Sequence, residues 1–291
     1  MNLDAWKDWF DWFDLGGWAT DLIDWLRTTL GPVFNFIRDV LLGGYNQLFN
    51  LLDLPPSLVM IALLVIAGGF ARGWRFGLAA AASLLLIDLM GQWTNAMQTL
   101  ALVIVAVVVA ALLAIPIGIA AARSSVVSNM VKPVLDFMQT MPPLVYLIPA
   151  VIIFGVGVVP GMIATIIFAM PPGIRLTELG IRQVDAEVVE AGHAFGSSHG
   201  KILRQIQLPL ALPTIMAGVN QVIMLALSMV VLAGFVGGPG LGQQVLSAIS
   251  RLNVGLGVEA GLSVVILAIY LDRVTAALGA RSTVVRLERA A

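Results

Sequence analysis

The chain has 291 residues, of which 59% are hydrophobic and 11% charged, and its formal net charge at pH 7 is -1. Several apolar runs approach the ~20 residues that cross a bilayer as a helix, which excludes a soluble domain and predicts an all-α polytopic membrane protein. The absence of cysteine excludes disulfides and cysteine-ligated metals. The acidic amino terminus lacks the basic and apolar segments of a cleavable signal, so we expect none.

The first region, residues 1–56, precedes any run of membrane length. Four aromatic residues recur there on one helical face: Trp6, Trp9, Phe10 and Phe13. Acidic residues lie on the opposite face. Two further helical stretches follow, the first ending at Gly31-Pro32 and the second covering residues 33–52. Tryptophan-rich amphipathic helices are typical of a membrane surface. We interpret this region as a scaffold around a transport core, with a regulatory sensor as the alternative.

Residues 57–92 hold two apolar runs, 58–71 and 76–90, joined by Arg72-Gly73-Trp74-Arg75. Each run is short for a full crossing, so we expect a hairpin of tilted or extended helices. Asp88 lies near the end of the second run. An acidic group within a span is a functional candidate, but near an interface it can also reach headgroups or water.

The third region, residues 93–279, is interpreted as the transport core, followed by a tail at 280–291. Its predicted spans are 97–121, 134–158, 159–171, 214–235 and 256–271, which makes seven with the hairpin. The span 159–171 is expected to close at Pro171-Pro172-Gly173. Proline-broken helices are tolerated where neighbours or a water-filled cavity satisfy the backbone. The prolines of 134–158 are therefore either bends beside a pathway or packing kinks. The candidate pathway or gate residues are Met138, Met141, Pro142, Pro143, Tyr146 and Pro149.

Between two apolar segments lies a more polar stretch, residues 184–213. Apolar residues at spacings of four, three and four predict one helix face: Val184, Val188, Ala191 and Phe195. Asp185 is placed to cap this helix, and Gly196 supplies the positive-φ residue that ends it. Ser197 or Ser198 can cap a second short helix, and Leu208-Pro209 leads back into apolar sequence. Two short helices at about a right angle would form a knob that presses into a partner.

The knob also carries a resemblance to a known family. Glu190-Ala191-Gly192, Gly196 and Ile206-x-Leu208-Pro209 resemble the EAA motif of permease subunits of ATP-binding-cassette (ABC) importers, of the glycine betaine/proline betaine type. Supporting runs are 135–142, 145–149 and 213–221, and the likeness covers roughly residues 92–279. Gly192 departs from the usual second alanine of the triplet, which would loosen that helical turn.

The resemblance implies a type I ABC importer permease fold and a homodimer that forms the pathway for quaternary ammonium osmolytes, with choline and carnitine as further possibilities. It implies an external substrate-binding protein and two cytoplasmic ATPase subunits, which hold ATP-Mg. The chain itself would bind no cofactor and would be no enzyme. The implied ATPase-coupling residues are Asp185, Val188, Glu190, Ala191, Gly192, Phe195, Gly196, Ile206, Leu208 and Pro209.

Positive charge predicts the orientation independently of the family. One set of predicted loops, including the knob and the tail, holds twelve lysines and arginines, and the opposite set holds four. The positive-inside rule then places the amino terminus outside, and the knob and the tail in the cytoplasm of a prokaryote. An intracellular ATPase could reach the knob there.

Other chemistry finds little support in the sequence. His193 and His199 lack a metal-binding frame, and their spacing of six would not place them on one helix face. No phosphate-binding GxxxxGK[ST] loop is present, so the chain cannot hydrolyse ATP by that route. An ion-gradient-driven secondary transporter is the alternative function. It requires charged groups at mid-depth, and only Asp88 comes near. A non-transporting receptor or scaffold is a third class.

Overall fold

The computed structural model describes residues 14–280. The predictions made for Trp6, Trp9, Phe10, Phe13 and the tail arginines at 281, 286 and 289 lie outside these residues. The described chain is helical throughout, with connecting turns. Its α-helices are α1 Leu15–Thr29, α2 Gly31–Asp53, α3 Ser57–Arg72, α4 Trp74–Leu89, α5 Trp93–Arg123, α6 Ser125–Thr140, α7 Pro143–Phe154, α8 Val158–Arg182, α9 Ala186–Ala194, α10 His199–Ile202, α11 Leu208–Gly234, α12 Leu241–Ser250 and α13 Val254–Ala280.

The core is built where α8 packs between α5 and α11. Small residues allow these helices to approach closely, as is common in membranes. A Cβ atom added at Gly118 of α5 would lie 2.6 Å from Thr177 Cβ of α8, and one at Gly161 of α8 would lie 2.6 Å from Ala233 Cβ of α11. Gly173 is enclosed in the same way between Ala114 and Val222. Glycine and alanine at these contacts therefore fix the distances between the three helices.

Four helices within residues 14–280 have the length and apolarity of a span: Trp93–Arg123, Val158–Arg182, His199–Gly234 and Val254–Ala277. Two more candidates are bent pairs, α2 with α3 at 102° and α6 with α7 at 99°. The all-α polytopic fold is confirmed, but seven separate spans are not reproduced. The predicted span 134–158 bends sharply at Met141-Pro142, so it is a candidate crossing only as a broken helix. At 16 residues, α3 and α4 each reach only about 24 Å, against ~30 Å of hydrocarbon.

The prediction that a span closes at Pro171-Pro172 is also wrong. Both prolines lie inside α8, which continues for ten residues to Arg182. Each proline removes a backbone hydrogen bond to the residue four positions earlier. The loss is tolerated because both prolines are buried between neighbouring helices. Local sequence favours a break here, and packing keeps the helix intact.

The amino-terminal helices and the hairpin lie against this core. Leu41 and Tyr45 of α2 belong to the same buried cluster as residues of α5. In the hairpin, Ser57 Oγ donates a hydrogen bond to Asp88 Oδ2 at 3.2 Å, so the half-buried carboxylate at the end of α4 has a partner. Tyr270 of α13 donates to the Leu64 carbonyl at 2.7 Å, which fastens the hairpin to the core.

We expect Gly118→Ala to destabilise the protein by about 1–3 kcal/mol, because the added methyl overpacks the contact between α5 and α8. The measurement is the melting temperature of the purified protein in detergent. Gly43→Ala is the matched control, since no atom lies within 4 Å of its added Cβ and alanine favours helix. Equal melting temperatures for the two variants would contradict this account of the packing.

Candidate functional site

The polar stretch between α8 and α11 folds as a projecting knob, defined here as residues 185–207. Asp185 Oδ1 accepts a hydrogen bond from the Glu187 amide at 2.9 Å and caps the start of α9. Gly196 has a φ of +75°, and its amide donates to the His193 carbonyl at 2.8 Å. The Ser197 amide reaches the Gly192 carbonyl at 3.1 Å. The predicted cap and the predicted turn are both present, so α9 is held at its two ends.

The second half of the knob differs from the prediction of a separate short helix. α10 leads through a π-helical segment, Leu203–Gln207, directly into α11, so residues 199–234 form one unbroken span candidate. The Leu208 amide donates to the Leu203 carbonyl, five residues earlier. Pro209 has no amide hydrogen to continue the regular α-helical pattern, and the wider π turn accommodates it. Ser198 precedes α10 but makes no side-chain cap.

The coupling candidates divide into a buried set and an exposed set. A Cβ added at Gly192 would lie 2.9 Å from Ile206 Cδ1 and 3.3 Å from Ile202 Cγ1, so glycine lets α9 lie closely on the second helix. This contact accounts for the departure from alanine. Leu208 is partly buried against Ile181 and Ile215, and Pro209 is half-buried beside it.

Much of the surface of α9 has no covering in the single chain. Val188, Glu190 and Ala191 are exposed there, and Phe195 at the end of the helix is 90% exposed. An aromatic side chain exposed on a capped and internally packed element is typical of a docking surface. The knob therefore presents exposed apolar side chains with the carboxylates of Glu187 and Glu190 beside them.

The Gly196 turn also brings the two histidines together. The ring centroids of His193 and His199 lie 4.8 Å apart in an edge-to-face arrangement, although the residues belong to different helices. No group of three or more His, Cys, Asp or Glu side chains suited to a metal ion occurs within residues 14–280. The pair is a contact across the turn that sequence spacing did not predict.

A charged cluster next to the knob was missed by the sequence analysis. Glu178 of α8 is only 8% exposed; it accepts a hydrogen bond from Ser128 Oγ at 2.7 Å and forms an ion pair with Arg182 Nε at 3.0 Å. Arg182 also donates to the Ala121 carbonyl of α5 at 2.9 Å. Arg175 pairs with Asp136 of α6. The cluster was missed because the helix was expected to stop at Pro171. The one local signal for it is the spacing of four residues between Glu178 and Arg182.

These groups fasten α6 to the end of α8 from which the knob begins. A cavity of about 410 Å³ lies among them, lined by Lys132, Asp136, Arg175, Glu178, Leu179 and Arg182. Ser128 and Glu178 are 50 residues apart in the chain, so their contact joins separate elements. The cluster thus ties the position of the knob to the position of α6.

The candidate pathway residues lie around the bend between α6 and α7. Pro142 and Pro143 stand at the bend, and Pro149 lies within α7 without breaking it. Tyr146 Oη donates to the Met138 carbonyl, and Met141 packs with Tyr146 and Met229. The structure brings Met138, Met141 and Tyr146 together, and their role in a pathway stays a prediction.

Comparison with known proteins gives a consistent result. The family described as "Binding-protein-dependent transport system inner membrane component" matches residues 114–284. The glycine betaine/proline betaine transport system permease protein ProW of Escherichia coli is 49% identical over 91% of this chain and 75% of its own length. The glycine betaine transport system permease protein OpuAB of Bacillus subtilis is 47% identical over 87% of this chain and 90% of its own length. The glycine betaine/carnitine transport permease protein GbuB of Listeria monocytogenes is 47% identical over 90% of this chain and 94% of its own length.

Among solved structures, the MetNI methionine ABC transporter in an inward-facing conformation matches with a TM-score of 0.58 and 21% sequence identity. The match covers 66% of this chain and 94% of that chain. At this identity the likeness concerns the fold alone, and it confirms the predicted type I importer permease architecture.

We expect Glu178→Ala to destabilise the protein by about 1–3 kcal/mol, because it removes a charged hydrogen-bond acceptor and leaves Arg182 and Ser128 without their partner. Asp136→Ala is the control. The Asp136 side chain is 67% exposed and that of its partner Arg175 is 42% exposed. Ion pairs at such exposed positions contribute about 0–1 kcal/mol to stability. Thermal unfolding of both variants in detergent checks this order. A larger loss for Asp136→Ala would overturn it.

Proposed function

Because the chain belongs to the family of binding-protein-dependent transport system inner membrane components, we propose that it carries glycine betaine or proline betaine. It is the membrane-spanning permease subunit of an ABC importer and a transport subunit, not an enzyme. The identity of 47–49% to three permeases named for glycine betaine supports this class of solute. Carnitine is a further candidate, since the Listeria relative is named for it as well, and choline is another small quaternary ammonium compound.

The coupling to ATP is assigned to the exposed face of the knob. Val188, Ala191 and Phe195 would supply contact area in an ATPase cleft, with Glu190 as a polar anchor and Asp185 holding the first turn of the helix. Gly192, Gly196 and Ile206 would keep α9 fixed on the second helix. Leu208 and Pro209 would pass its displacement into α11, because residues 199–234 form one continuous helix. The observation that carries this assignment is the exposed Phe195 on a rigid, capped element.

The remaining partners follow from the same assignment. A second copy would complete the pathway around the bend that holds Met138, Met141, Pro142, Pro143, Tyr146 and Pro149. An external binding protein would deliver the solute, and two cytoplasmic ATPase subunits would hold ATP-Mg. This chain lacks a phosphate-binding loop of its own.

An amino terminus outside and a carboxyl-terminal tail in the cytoplasm together require an odd number of crossings. Two bent pairs and four single helices provide six candidates. A seventh crossing would be α4, whose 16 residues would need local thinning of the bilayer. With this count, the excess of lysine and arginine places the knob and the tail in the cytoplasm of a prokaryotic cell.

Uptake of labelled glycine betaine into proteoliposomes that contain the permease, its ATPase and its binding protein tests the function. We expect uptake to require both internal ATP and the binding protein, and to continue when the proton motive force is collapsed. Uptake that needs an ion gradient and no ATP would favour a secondary transporter. Entry of choline or carnitine with exclusion of glycine betaine would change the solute and keep the importer.

We expect Phe195→Ala to weaken binding of the ATPase subunits by roughly 30-fold, the effect typical of removing a central aromatic anchor. The measurement is the affinity of the purified ATPase for the permease in nanodiscs. Leu54→Ala is the control, because Leu54 is 83% exposed but far from the knob in the chain. Unchanged affinity for Phe195→Ala would overturn the assigned docking face.

A further inference from the structure

The helices of this protein differ in what they expose at membrane depth. On α5 the exposed large hydrophobic residues are Val108, Leu112 and Leu113, and on α13 they are Val254, Val258, Leu262, Val265 and Ile269. Apart from Arg273, which lies towards the end of α13, these exposed side chains are apolar, as expected of helices that face lipid.

One face of α11 does not follow this pattern. Its exposed positions recur at spacings of four, three and four, and they form a strip called here the α11 stripe: Ala217, Gln221, Met224 and Ser228. Gln221 is the middle residue of Leu208–Gly234. The side-chain amide of Gln221 has no hydrogen-bond partner among residues 14–280. An unpaired amide at the centre of a span is unfavourable against lipid, so this face is not suited to the hydrocarbon.

A second unpaired group lies on the same turn. Asn220 Oδ1 is shielded from solvent and has no hydrogen-bond partner. Ser228, by contrast, donates to the Met224 carbonyl at 3.1 Å and is satisfied within its own helix. Two neighbouring amides at mid-depth thus have free hydrogen-bonding capacity, which is uncommon in a membrane interior.

A concave surface borders part of the stripe, at Met224 and Ser228. A cavity of about 320 Å³ lies between α11 and α13, and its α11 wall consists of Met224, Leu227 and Ser228. Met224 offers a polarizable side chain that adapts to different contacts. The stripe itself bears no formal charge, and the two charged residues of the cavity, Asp272 and Arg273 of α13, pair with each other at 3.6 Å, so this surface could touch a zwitterion without holding it tightly.

We propose that the α11 stripe lines the water-filled translocation pathway, with the Gln221 amide as the contact for the carboxylate of a zwitterionic quaternary ammonium solute. The proposal rests on the proposed function for the identity of the solute. Amide N–H groups donate hydrogen bonds to a carboxylate. The quaternary ammonium group cannot accept or donate one, and Met224 provides an apolar, polarizable surface for it.

The stripe also lies on the helix that the knob controls. Residues 199–234 are continuous, so a displacement of the knob by the ATPase would shift or rotate Gln221 without any flexible link. A weak site on this helix would change its exposure during each transport cycle. This places solute contact and coupling on one rigid element.

The native chain contains no cysteine, which makes single-cysteine labelling direct. Gln221→Cys and Ser228→Cys are compared with Leu112→Cys, a residue of α5 that is 67% exposed on an apolar face. Each is assembled with its ATPase and binding protein in proteoliposomes. The probe is 2-(trimethylammonium)ethyl methanethiosulfonate, which is impermeant, reacts with water-accessible thiols and carries a quaternary ammonium group. The mass shift of the intact chain gives the rate of labelling.

We expect both stripe variants to be labelled at least tenfold faster than Leu112→Cys, and ATP to change their rates. Labelling of Gln221→Cys at the Leu112→Cys rate would overturn the proposal. Slow labelling of Gln221→Cys would have one of two causes, and oxidative cross-linking distinguishes them. A cross-linked dimer indicates a dry interface between copies, and a monomer indicates a face in contact with lipid. This readout does not depend on the solute, so it stands even if the wild-type complex fails to transport glycine betaine.

Solute contact is tested by transport kinetics. We expect Gln221→Leu to lower kcat for uptake about tenfold, with KM unchanged because the external protein captures the solute. Gln221→Asn, which keeps an amide, should recover part of the rate. Equal kcat for Gln221→Leu and the wild type would overturn the contact, whereas absence of uptake by the wild type would instead count against the proposed function.

Discussion

The structure depends on the close approach of α5, α8 and α11. A Cβ atom at Gly118 or Gly161 would overlap the neighbouring helix, and one at Gly173 would be a tight fit. In a bilayer such packing replaces the hydrophobic effect that drives association in water. Because α8 and α11 are held along their length, the connection between them emerges at a defined place and angle. The knob is therefore presented by closely packed helices.

The knob has an exposed outer surface, and the charged cluster beside it contacts neighbouring helices. Outward, the knob shows an apolar face with Phe195 almost fully exposed, a surface that gains from being covered by a partner. Inward, Glu178 joins α8 to α6 through Ser128 and pairs with Arg182, whose other contact is the end of α5. A force on the knob would thus reach α11 through a continuous helix and α6 through hydrogen bonds and ion pairs. Coupling between distant sites requires linked rigid elements of this kind.

The treatment of proline shows where reasoning from sequence succeeded and where it failed. Pro142-Pro143 bends the chain as expected, because α6 and α7 have few neighbours to hold a straight path. Pro171-Pro172 does not, because α5 and α11 enclose α8 at that point. At Pro209 a π-helical segment absorbs the missing amide hydrogen bond. The same residue type breaks, continues or widens a helix according to what surrounds it, and the surroundings are not local information.

The sequence by itself determined the membrane class, the cap at Asp185, the positive-φ turn at Gly196 and the family, because each depends on composition or on residues a few positions apart. Only the tertiary structure decided which proline bends the chain, that Glu178 meets Ser128 from 50 residues away, and that α11 exposes Gln221 at mid-depth. Apolar periodicity could not supply these features, since a buried helix and a lipid-facing helix are both apolar. The faces of such helices become distinguishable only when their neighbours are in place.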